Sequence, residues 1–332
     1  MKYRTIALLI ALTFTLTATS RLQAQPRTQV VQETDDEFKV TTYKRFVDNW
    51  ENNPTIAYQA AKEYMAKYNK EDDQYTRYLK AWISDYEAKE KADRLAAEKA
   101  DREQQLLGTF TQKDYAKAYG MAKKVLADDP ENIKVLVALG YEGLLASQEA
   151  HNEAFNGEAA NFAQKAIQLI EAGKTPDTWT PFKNKEDVLS SLYYALGFYN
   201  LKPKPDSSIP NFIKAAQIDS DRKSSTSTYY YLAAAYQTGP YKHLSEDYSK
   251  RFANQAESPE SKTALDNINK VVDKMIDAYA RAVALAGNDP QQQTAKNQWM
   301  TQLTNFWKFR HDGADTGLTE YLAGILSKPL PQ

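Results

Sequence analysis

Side chains able to carry out chemistry are sparse and scattered in this chain. The three histidines, His151, His243 and His311, stand far apart, with no spacing at which two imidazoles would share a metal. There is no Gly-rich phosphate loop, no G-x-S-x-G elbow and no H-E-x-x-H pair. The absence of cysteine excludes disulfides, a thiol nucleophile, thiolate metal sites and a lipid-modified cysteine. Asp315-Thr316-Gly317 spells the triplet of aspartic proteases, but that chemistry needs two such carboxylates on strand-rich lobes, and here one copy sits in a turn before a helix. The same turn offers Asp312, Asp315 and Glu320 to calcium without the full oxygen-rich loop of an EF-hand. Capping of the next helix by Thr316 or Asp315 accounts for those residues more simply. No catalytic, cofactor or metal site is assigned, and an enzyme is not expected.

What the sequence does offer is surface for contact. Aromatic residues make up 12% of it, 22 of them tyrosines, and the stretch TYYYLAAAYQTGPYK at 228–242 sets tyrosines around a run of alanines. Whether such rings pack or bind depends on the elements that carry them.

Those elements read as helices throughout. Gly and Pro, 12 and 13 residues, cluster between apolar-periodic segments instead of recurring at the short intervals that separate strands. A first pair, EFKVTTYKRFVDNW and PTIAYQAAKEYMAKY, is split at Asn52-Asn53-Pro54, with the proline placed to open its second member. A third helix begins near Asp73 and becomes strongly polar. There Asp85 with Lys89, Glu87 with Lys91, Glu90 with Arg94, and Glu98 with Arg102 are spaced for ion pairs one turn apart.

At 332 residues and 42% hydrophobic content the chain can bury a substantial core. A formal charge of −1, with Lys and Arg dispersed among Asp and Glu, argues against nucleic acid as a partner. Residues 1–24 have the form of a secretory signal: Lys2 and Arg4 precede an apolar run from Ile6 to Leu16, too short to span a ~30 Å hydrocarbon layer comfortably. Cleavage after Ser20 or Ala24 fits the small residues there. The second would remove Lys2, Arg4 and Arg21 and take the charge from −1 to −4. No later segment has the length and apolarity of a membrane span. A periplasmic or extracellular protein, without stable membrane insertion after cleavage, is expected.

From residue 114 a pattern recurs. In DYAKAYGMAKKVLADDPENIKVLVALGYEGLL, Tyr115, Ala118, Leu126 and Pro130 are followed by the pair Leu139-Gly140. LYYALGFYN repeats it with Tyr193, Leu196 and Gly197, followed by Phe212 and Ala215, and the tyrosine-rich stretch again with Tyr229, Leu232, Ala233 and Tyr236, partnered by Tyr279 and Ala282. The small residues permit close helix approach, and the large ones fill the gap to the next unit. This resembles the tetratricopeptide repeat, a helix-turn-helix unit of about 34 residues. The period is broken by insertions: Leu139 to Leu196 is 57 positions and Leu196 to Leu232 is 36.

The resemblance implies an all-α fold, a right-handed α-solenoid of helical hairpins with a C-terminal capping helix. The expected order is a flexible tail at 25–36, a helical region with a long polar helix at 37–110, repeats at 111–290 and a cap at 291–332. Within the last region Leu318, Tyr321, Leu322, Ile325 and Leu326 share one helical face. The resemblance also implies that first helices line a concave groove, presenting Lys134, Val137 and Tyr141, then Tyr194, Phe198 and Leu201, then Tyr230, Ala234 and Gln237. The carboxylate clamp of some repeats is not reproduced, since only Lys134 offers charge. An aromatic, apolar groove of this kind suits a protein or peptide partner. The competing expectation is a glycan or cell-envelope polymer, because glycan-binding outer-membrane proteins with tetratricopeptide-like helices use aromatic platforms. Those proteins are longer and carry the lipidation cysteine that this chain lacks.

Overall fold

A computed structural model describes residues 34–330, and the segment read as a secretory signal lies outside them. The described residues contain helices and no strand, and the chain divides into two compact units at Ala92/Asp93. No helix among them is long and apolar enough to cross a membrane.

The first unit holds α1 (Asp35–Asn49), α2 (Pro54–Tyr68) and the first half of α3 (Gln74–Thr111). The polar stretch expected to reach residue 36 ends sooner. Thr34 and Glu37 form a reciprocal capping box that satisfies two backbone N–H groups and starts α1 at Asp35. Pro54 opens α2 as expected, where a missing N–H costs nothing. Phe46, Tyr64 and Leu79, one from each helix, are fully buried together. Trp82 meets the Phe46 ring edge-on at 5.0 Å.

The polar half of α3 is helical, but none of its four expected ion pairs closes. Glu87 instead accepts from the Tyr58 hydroxyl at 2.6 Å and pairs with Lys62, both on α2, while Arg102 pairs with Asp128. Exposed i,i+4 pairs contribute only a few tenths of a kcal/mol, so a partner on a neighbouring helix readily displaces them. The end of α3 carries Leu106 and Phe110 into the core of the second unit, so the compact units part at 92/93 and not near residue 110.

The second unit continues with α4 (Tyr115–Asp128), α5 (Ile133–Glu149), α6 (Asn156–Glu171), α7 (Lys185–Asn200), α8 (Pro205–Gln217) and α9 (Thr226–Tyr236). Each of these helices packs on the next, and α5 with α7 and α7 with α9 also touch, a solenoid-like array. The stretch after α9 turns at Gly239 into α10 (Lys242–Phe252), and α11 (Pro259–Ala286) then packs along α9.

Small residues set the closest contacts. A Cβ on Gly140 would lie 2.7 Å from the Ala163 Cα, so α5 and α6 approach backbone to backbone. Gly143 also faces α6, where an added Cβ would lie 2.5 Å from the Ala159 Cβ, and it has a second role. Lacking a side chain, it leaves the carbonyls of Leu139 and Gly140, one turn back, open to side chains from other helices. The buried Tyr119 hydroxyl donates to the first at 2.6 Å and the Tyr199 hydroxyl to the second at 2.8 Å. Those bonds tie α4 and α7 to α5.

α12 (Gln293–Arg310) and α13 (Leu318–Gly324) complete the unit. Leu318 and Ile325 are buried against α11 as the capping reading expects, but Leu326 is half exposed because the helix tightens to a 3₁₀ turn at Ile325 and rotates it outward. Neither Asp315 nor Thr316 caps α13. Gly317 takes the N-cap position at φ 84°, and the Thr316 carbonyl accepts from Trp307 Nε1 at 3.3 Å.

Candidate functional site

The last turn of α3, the face of α5 and the connection from α6 to α7 enclose a cavity of about 490 Å3. Lys134, Val137 and Tyr141 line it, as expected for one face of α5, with Glu142 and Leu145 beside them. The opposite wall is the connection itself. Its turn Trp179–Phe182, with Thr180–Pro181 cis, is closed by the Phe182 N–H donating to the Trp179 carbonyl at 2.8 Å. That turn places Trp179 and Phe182 against the cavity, and the Phe182 ring meets Tyr141 edge-on at 5.1 Å.

The charges at this site are unequal in their partners. Lys134 pairs with Glu103 at 2.8 Å, and Glu103 also accepts from the Asn132 amide at 2.7 Å. Lys113 pairs with Glu149 at 2.8 Å. Glu142, half-buried, has no hydrogen bond or ion pair within the described residues. Burial pushes its carboxyl pKa up, the Glu149 charge adds to the rise, and Lys113 opposes it.

The other expected groove residues do not continue this surface. Tyr194 is 1% exposed: Arg222 lies 4.1 Å over its ring, and the Gln148 amide donates to its hydroxyl at 3.4 Å. Burial raises its pKa. Its neighbour Tyr193, expected to pack, is the more exposed of the two, its hydroxyl donating to Glu171 at 2.6 Å. These two neighbours thus exchange their expected roles, while Gly197 keeps the close approach to Phe212 that the repeat pattern expects. Phe198 and Leu201 line a separate cavity with Tyr231, Lys202 and Lys204. Tyr230 is half-buried beneath Trp299 of α12, the rings stacked at 5.4 Å, and Gln237 accepts from the Tyr279 hydroxyl at 2.7 Å. Of the nine residues, Lys134, Val137 and Tyr141 share the α5 cavity and Phe198 and Leu201 line the second one, and the continuous groove is broken because Arg222 and α12 cover Tyr194 and Tyr230.

Four residues of this neighbourhood carried no assignment from sequence: Glu142, Trp179, Phe182 and Arg222. Trp179 and Phe182 flank Pro181 in a segment that reads as an interruption of the period, and two large aromatics in a polar connection were its signal. No group of three or more His, Cys, Asp or Glu residues is placed to hold a metal ion among the described residues. No family model matches the chain, and no curated protein matches it either.

Proposed function

We propose that this chain is a secreted, tetratricopeptide-like binding scaffold that holds a segment of a protein or peptide partner in the α5 cavity. The observation that carries the reading is the pairing of a helix face with an aromatic turn across one cavity: Tyr141 and Val137 on one wall, Trp179 and Phe182 on the other. The volume falls in the range of roughly 300–1,000 Å3 common to ligand sites, and rigid aromatic side chains lose little entropy on contact. Arg222 over Tyr194 and Trp299 over Tyr230 interrupt the expected groove, which favours this cavity over a continuous surface along the array.

A selection from a random peptide library displayed on phage, run against the intact chain and against Tyr141→Ala, tests the proposal. Enriched peptides whose binding is lost in Tyr141→Ala support it. Retention on polysaccharide columns, lost in Trp179→Ala, with no peptide enriched, would place a glycan in the cavity instead.

A further inference from the structure

Four charged side chains line the α5 cavity: Lys113, Lys134, Glu142 and Glu149. Both lysines are engaged by carboxylates, Lys113 by Glu149 and Lys134 by Glu103, each at 2.8 Å. Once these pairs are set aside, the charge left facing the cavity is the carboxylate of Glu142. It is half withdrawn from water, and no donor in the described residues meets it. A desolvated carboxylate without a donor is costly, and an incoming cation supplies what it lacks. The aromatic lining favours the same class of ligand, because ring faces attract ammonium and guanidinium groups. The protein already uses this pairing next door, where the Arg222 guanidinium stacks on Tyr194 and donates to the Tyr141 hydroxyl at 3.2 Å.

We propose that the α5 cavity takes the cationic side chain of a lysine or arginine in an extended peptide segment. The head group meets Glu142, and the methylene stem lies along Tyr141, Trp179 and Phe182. The inference rests on the reading of the cavity as a peptide site and adds the chemistry of the residue it selects.

A positional-scanning library of N-acetylated, C-amidated hexapeptides, titrated against the intact chain, Glu142→Gln and Tyr141→Ala at fixed ionic strength, tests it. The expected result is enrichment of Lys or Arg at one position. Replacing that lysine by norleucine, or Glu142 by glutamine, should weaken binding by about tenfold or more, and combining the two changes should cost little beyond either alone. Peptides that depend on Tyr141 but show no basic preference, or whose affinity is unmoved by Glu142→Gln, would overturn the cationic assignment and leave the peptide site standing. If no hexapeptide depends on Tyr141, both readings fall. Should Glu142→Gln fail to fold, the norleucine comparison on the unaltered chain decides alone, with equal affinity for both peptides counting against the proposal.

Discussion

Arg222 covers Tyr194, its guanidinium carbon 4.1 Å from the ring centroid. The same side chain donates from Nη2 to the Tyr141 hydroxyl at 3.2 Å, so one residue from the 3₁₀ turn at Asp221–Ser224 joins tyrosines of α5 and α7. A partly desolvated stacking contact and one hydrogen bond together suggest that Arg222→Ala lowers stability by about 1–3 kcal/mol in urea denaturation. Arg222→Lys should recover only part of this, since an ammonium cannot stack a planar fork while donating sideways. Equal stability of the lysine variant and the parent would show that charge alone is at work.

Gly143→Ala is expected to be among the most damaging small substitutions in the chain. The added methyl would sit 2.5 Å from the Ala159 Cβ, 2.7 Å from the Tyr119 hydroxyl and 2.9 Å from that of Tyr199, pressing on α6 and displacing both hydroxyls from the carbonyls they serve. Overpacking and two weakened buried hydrogen bonds put the cost at about 2–4 kcal/mol. Tyr119→Phe and Tyr199→Phe should each cost about 1–2 kcal/mol, leaving a helix carbonyl its own backbone partner. Combining Gly143→Ala with both phenylalanines should cost less than the separate losses summed. Simple additivity in denaturant midpoints would sink the assignment.

Stability near Glu142 should depend on pH in a defined sense. Burial raises its pKa above the ordinary 4.5, so in the window above 4.5 the folded chain holds its proton more tightly than the unfolded chain. Stability attributable to this group therefore falls as pH rises through that window, and the full penalty persists above it. Glu142→Gln should stabilise the protein at pH 7 relative to its effect near pH 4. Denaturation curves at both pH values measure this directly, and an identical difference at each would mean that the carboxylate is not penalised.

Asp277 and Arg281 lie one turn apart on α11, 5% and 4% exposed. Arg281 Nε donates to Asp277 at 2.7 Å, and its Nη2 reaches the carbonyls of Lys328 at 2.8 Å and Pro329 at 3.0 Å. Removing one partner leaves an uncompensated buried charge, so Arg281→Ala should cost about 3–5 kcal/mol. Asp277→Leu combined with Arg281→Met, which removes both charges, should cost less than either change alone. Ending the chain at Ser327 should destabilise α11 measurably by taking away two acceptors. Hydrogen exchange along α11 that is unchanged by the truncation would count against the role given to Arg281.

Much of the helical order could be read from sequence because its causes are local. Pro54 and the Asn52-Asn53 break place the first two helices, and Gly140 and Ala233 mark close packing because a small residue leaves a recognisable gap in the apolar pattern. Tyr193 and Tyr194 show where such reading stops. They are adjacent rings about 100° apart on one helix, and the one turned inward, Tyr194, meets Phe212, Arg222 and Tyr231, all from later elements of the chain. The cavity was half legible for the same reason: helical spacing gave Lys134, Val137 and Tyr141, whereas the position of Trp179 and Phe182 depends on a turn that folds back onto α5.

The two walls of that cavity differ in their freedom to change. Tyr141 belongs to a helix whose other faces are committed to neighbouring helices, while Trp179 and Phe182 are carried by a connection between α6 and α7. Loops accept substitution and insertion far more readily than packed helices. On the proposed binding role the surface is modular: grafting a connection of equal span between Gly173 and Asn184 would exchange what the cavity accepts while the helical hairpins beneath keep their sequence.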